Sequence, residues 1–384
     1  MKVILALAGC LFMLISCAAE QNTTDPTSIA TSAVADDTGI DAEESAEPIT
    51  RLVLVEPETG AVVVFDASTE TATPLGEFGP VQGISGDGRF GYLRGNTALT
   101  IIDAGSWTYD HGDHSHYYAE PPAVAGSIDG RILGAHGQRT LTTVRHADGT
   151  VDVLDRDALG QHRIGPAEGF GDLPDAVATA PLGDSVLAVT RDGVVTEIGT
   201  DTRVLGRCPG VTGAATVGRE VVFGCADKAV RIVKRSGEVT AEHIPFAGRL
   251  GPLAHRYGSS VLTAVGDNEV AVLDARRGVW SSVSVTDPIA ANSASGDSVM
   301  VLTADGNLRA FHTADNRETA VVQLFEGPVP TQLPAPVIEV DSDRAYVNDV
   351  QRGAVYEIDY RDGLRVARTF DTDVAPGFMV EVGR

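Results

Sequence analysis

Residues 183–199 read GDSVLAVTRDGVVTEIG. Two runs of apolar and β-branched residues are each introduced by small turn-formers, Gly183-Asp184-Ser185 and Asp192-Gly193, which is the pattern of two short strands joined by tight turns. The first turn and strand recur as GDGRFGYL at 86, DGRILGA at 129, GREVVFG at 218, GSSVLTA at 258, GDSVMVL at 296 and SDRAYVN at 342. A second turn and strand follows, as in DNEVAVLD (267–274) and DGNLRAFH (305–312), and a strand of small residues precedes, as in AVATAPL (176–182) and TGAATV (212–217). Four strands in about 40 residues, graded from small to large side chains, is the signature of a propeller blade. Inner strands crowd a central channel and need small residues, whereas outer strands have room for larger and charged ones.

The reading is therefore an all-β chain folded as a β-propeller of four-stranded blades, with eight blades favoured over seven. Units are expected to begin near 82, 122, 175, 211, 251, 288 and 335. Residues 51–79 supply three strands and APGFMVEVG (375–383) supplies a fourth, so both chain ends should close the ring and leave no open sheet edge. No run has the period of a long amphipathic helix. The 384 residues with 42 glycines and only 5% aromatics fit this reading, and 43% hydrophobic residues are enough for a large core.

Outward from the repeat, the first fifty residues are different. Lys2 precedes an apolar run from Val3 to Ile15 that has the length of a secretory h-region and is short for a membrane span. It ends in Leu14-Ile15-Ser16-Cys17, which resembles the bacterial lipobox. Residues 1–16 are thus expected as a lipoprotein signal peptide, and 17–50 as a lipidated Cys17 with a disordered acidic tether. Residues 51–384 are expected as one propeller domain, monomeric and held by lipid at the outer face of the cytoplasmic membrane. The formal net charge is −24, and residues 18–50 carry eight carboxylates with no Lys, Arg or His. Such a charge excludes nucleic acid, whose binding needs Lys and Arg to release condensed counterions, and makes cations the natural partners. Cys10 would leave with the signal. Cys208 and Cys225 then remain as an even pair, read as one disulfide in an oxidising compartment, with a metal-binding thiol pair as the alternative.

One segment stands apart from the blades. Residues 109–118 read YDHGDHSHYY, three of the nine histidines with two aspartates. Imidazole and carboxylate at this density suit a borderline ion such as Zn²⁺. His114 and His116 are two apart, so an extended backbone points both to one side. The segment is expected to connect an outer strand to the next inner strand, on the face that also carries the turn at His136 and the rim residue Asp175. The expected ligand set is His114, His116 and His136 with Asp175 or His255 as the fourth. His111 and Asp113 would form a weaker second site or orient the imidazoles. Tyr117 and Tyr118 are assigned to packing.

The segment 107–118, together with the CPG…GC pair at 208–225, resembles the AztD-type zinc metallochaperones, extracytoplasmic β-propellers that pass zinc to the solute-binding protein of a zinc ABC importer. That resemblance implies His114 and His116 as ligands, a Cys208–Cys225 disulfide, Zn²⁺ as the bound ion and that binding protein as the partner. The chain is not expected to be an enzyme: it has no Gly-x-Ser-x-Gly, His-Glu-x-x-His or Gly-rich phosphate loop. The competing readings are a lipid-anchored interaction scaffold and a metal-dependent hydrolase or lactonase.

Overall fold

A computed structural model describes residues 42–110, 114–170, 175–199, 202–330 and 334–383, with Asp110 described in its backbone alone. Cys17, His111 and Asp113 lie outside them. Among the described residues the strands form eight successive sheets and one accessory hairpin sheet. The fourth sheet shows the unit. Ala176–Leu182, Ser185–Thr190, Val194–Ile198 and Thr202–Arg207 pair antiparallel in chain order. Gly193 turns the second strand into the third at φ +82°, where a Cβ would lie 2.8 Å from the Cα of Pro209.

The inner strands of successive sheets touch, except that the sixth sheet meets the seventh through its second strand, and the eighth touches the first, so the sheets make a closed propeller ring. Closure uses both ends of the chain. Arg51–Val55 pairs with Phe378–Val382, Arg51 opposite Val382, and then with Ala61–Asp66. Both faces of each sheet lie against neighbours, so its middle strands are apolar throughout rather than alternating. Leu52, Val53, Leu54 and Val55 are all fully buried. Between the fourth and fifth sheets, Leu187, Val189 and Val195 pack on Val221, Phe223 and Val230.

The same interface holds the disulfide. Cys208, just past the outer strand of the fourth sheet, bonds Cys225, just past the second strand of the fifth, closing a 17-residue separation. Loop-closure entropy makes this worth about 3 kcal/mol. Cys208→Ala with Cys225→Ala should lower unfolding free energy by about that amount in a denaturant titration, and a loss under about 0.5 kcal/mol would remove the cross-link from the stability argument.

Two expectations about connectivity are corrected. The strand expected to open a unit near 122, Ala123–Asp129, is the outermost strand of the second sheet, pairing with Ala98–Asp103. The third sheet begins instead at Ile132–Gln138 and has three strands, followed by a short helix over Arg156–Gly160. As a result the His-rich segment is inserted between the third and fourth strands of one sheet. It does not bridge two sheets. It therefore emerges on the face of the ring opposite to the one expected. The last residues of the segment expected as a disordered tether are also in a strand: Glu43–Ser45 forms the third strand of the hairpin sheet.

Candidate metal centre

The inserted segment is a hairpin because its two arms have paired β-formers. Trp107 faces Tyr118 and Tyr109 faces His116 across the strands Ser106–Asp110 and Ser115–Ala119. Glu43–Ser45 adds to the second arm with Glu44 opposite Tyr118. Its root is clamped to the ring. The Arg51 guanidinium donates to the carbonyls of Ala104, Gly105 and Glu120, and Arg89 bonds the carboxylates of Asp103 and Glu120 at 2.6 and 2.7 Å.

At the tip the two histidines meet. Nε2 of His114 lies 3.0 Å from Nε2 of His116. Two ligands at about 2.0–2.1 Å from a tetrahedral zinc ion are roughly 3.3 Å apart, so the pair is nearly preset for one ion. Behind it, Nδ1 of His116 lies 2.5 Å from Oε1 of Glu44. A carboxylate there fixes the Nδ1–H tautomer, leaving the Nε2 lone pair for a metal and raising ligand basicity. His114 is exposed and His116 half-buried. Rings continue down the hairpin: His114 to His116 at 4.8 Å, His116 to Tyr118 at 6.3 Å, Tyr118 to Trp107 at 5.5 Å, and the Arg89 guanidinium 3.8 Å over Trp107. The two tyrosines thus divide: Tyr118 belongs to this stack, while Tyr117 pairs with Thr108 and Ser45.

The remaining expected ligands lie elsewhere. His136 is in the inner strand of the third sheet, not in a turn, and its Nε2 is 2.9 Å from Oγ1 of Thr216. His255 follows the inner strand of the sixth sheet, with Nε2 2.8 Å from the Thr216 carbonyl. Both rings line the channel. Asp175 is exposed and pairs with Arg191 at 3.6 Å. Among the described residues, no set of three or more candidate ligands joins His114 or His116 to these. The four-membered set read from the sequence is divided among hairpin, channel and rim, because His136 sits one strand away from where the repeat was placed.

The channel pair has its own electrostatics. Burial, then the neighbouring His255, drives the His136 imidazole down to about 4, and burial lowers His255 as well. In the strand Phe378–Val382, burial and then the charge of Glu339 push the Glu381 carboxyl well above its usual range, against the pull of Arg256. For His136 the native pKa lies below the unfolded value of about 6.5, so stability is complete above that value. As pH falls from about 6.5 to 4 the unfolded chain takes up a proton that the native ring refuses, and stability is lost. The loss should be about 2 kcal/mol once the solvent reaching the channel is allowed for. Melting of the wild type against His136→Gln at pH 7 and 4.5 measures it. An equal acid shift in both proteins would exclude His136 as the cause.

Sequence reading missed Glu44, Asp103, Glu120 and His162. Glu44 is 72 residues from His116 in the chain, and no local spacing announces such a pair. His162, 59 residues on from Asp103, brings its Nε2 to 3.4 Å from Oδ2 of that aspartate.

No protein-family model and no curated relative matches the sequence. Solved structures do match by fold. AztD of Citrobacter koseri superposes with a TM-score of 0.74 at 16% identity, covering 88% of this chain and 98% of that one, and its apo form gives the same values. Dihydro-heme d1 dehydrogenase NirN, in complex with DHE, follows at a TM-score of 0.56 and 15% identity, covering 88% of this chain and 76% of that one. At these identities the likeness is one of fold, and the fold is an AztD-like β-propeller.

Proposed function

We propose that this protein is an extracytoplasmic zinc-binding metallochaperone that delivers zinc to, or buffers it for, the solute-binding protein of a zinc ABC importer. The observation that carries the reading is the imidazole pair of His114 and His116, backed by Glu44 on a hairpin of an AztD-like propeller. Zinc is the cargo. Its handover needs ligands that an acceptor replaces one at a time, and the pair is graded for that. His114 is exposed and should let go first, while His116 is held by Glu44 and should let go last. The net charge of −24 attracts cations without selecting among them, so selection rests on the imidazoles. Export and a lipid on Cys17 would keep the protein beside the importer.

The test uses purified protein stripped with a chelator. It should take up zinc at micromolar concentration, in competition with a chromophoric chelator, and pass it to the apo binding protein faster than free exchange through that chelator allows. Failure to bind zinc ends the reading. Binding without accelerated transfer reduces it to a buffer.

A further inference from the structure

We propose that Asp103, Glu120 and His162 form a second divalent-cation site at the hairpin root, where the cation competes with the Arg89 guanidinium for the same carboxylate oxygens. One ligand atom from each of the three lies within 4.8 Å of the other two, the only such set among the described residues. Three segments build it. Asp103 ends the third strand of the second sheet, Glu120 closes the hairpin, and His162 follows the helix Arg156–Gly160. Zinc accepts both imidazole nitrogen and carboxylate oxygen, and a site with three protein ligands keeps one position open. The Asp103 Oδ2 to His162 Nε2 distance of 3.4 Å is close to the separation of two ligands on one ion. Access is one-sided: the side chains of Asp103 and Glu120 are 1% and 13% exposed, and that of His162 is 40% exposed.

Carboxylates and guanidinium groups crowd the root together. Asp103 and Glu120 both bond the Arg89 guanidinium, while Arg51 beside them directs its donors to backbone carbonyls. A divalent ion held by the two carboxylates and His162 would take carboxylate oxygens from Arg89. It would also loosen the guanidinium that lies over Trp107. Trp107 begins the ring stack that ends at His114, so occupancy of the root has a physical route to the tip. The site does not rest on the chaperone reading, since it uses none of the tip histidines.

The experiment is a titration of the chelator-stripped full chain with zinc alone, up to 100-fold excess, in a Trp280→Phe background where Trp107 is the reporter. With His114→Ala and His116→Ala in place, at least one zinc equivalent should remain, and Trp107 emission should change saturably with it. Adding His162→Ala should weaken that equivalent at least about 10-fold and abolish the emission change. His162→Gln serves as a second variant if alanine disturbs the melting curve. Two outcomes overturn the site. One is no zinc binding by the tip double variant, and the other is residual binding and emission unmoved by both His162 substitutions.

Discussion

Replacing His114 and His116 together with alanine should lower the affinity of the hairpin for zinc more than about 100-fold. The physical reason is that both nitrogens now poised 3.0 Å apart are lost. Even an outer partner of a metal-binding imidazole is worth about 10–100-fold, so two direct ligands are worth at least that. Glu44→Gln tests the outer partner alone. It keeps the shape but replaces a charged acceptor on Nδ1 of His116 by a neutral one, and should cost about 10-fold. Isothermal titration against a competing chelator separates these. A double variant that binds zinc at the tip as tightly as the wild type would remove the hairpin from the mechanism.

Arg156→Ala should cost about 3–5 kcal/mol of stability. Asp87 is fully buried between the second and third sheets. Its carboxylate accepts from Arg156 at 2.9 and 3.1 Å and from the Tyr92 hydroxyl at 2.6 Å. Burial alone would raise the Asp87 carboxyl, but the charge and hydrogen bonds of Arg156 hold it below its usual value. Without Arg156 a desolvated charge remains with only neutral donors, which is why breaking such a pair costs more than the pair itself contributes. The expected signature is a fall in melting temperature on the order of 5–10 °C. A shift near zero would mean that water reaches Asp87 in the native ring.

The sequence carried most of the fold because each sheet repeats one physical problem. Inner strands need small residues, middle strands need apolar ones on both faces, and turns need Gly or Asp. That logic located the ends of the ring at 51–79 and 375–383. It failed near 122 for a definite reason. AVAGSID (123–129) has the small residues of an inner strand, but it is an outer strand with a bulge between Val124 and Gly126, and the hairpin inserted before it hides its true partner. The error carried into the site. Placing the His-rich segment between sheets put it on the face of His136 and Asp175, and the four-ligand set followed from that placement. What survived was local: two histidines two apart in an extended arm do converge. What could not be read was assembled at long range, Glu44 from the strand Glu43–Ser45 and Asp103, Glu120 and His162 from three separate segments.

The pairing of Arg51 with Val382 also has a consequence for time. The second strand of the first sheet is among the earliest parts of the propeller to be synthesised, and the strand that completes it is nearly the last. Until that strand arrives, Arg51–Val55 has one open edge, and the ring is an arc with two unfinished ends. Pairings between residues so far apart are slow, since the loop entropy is spent before the contact is gained. The growing chain therefore passes through a period in which sheet edges are exposed to other chains. The bulk of the ring can form sheet by sheet, but its final cooperativity arrives in one late step, when the two termini meet.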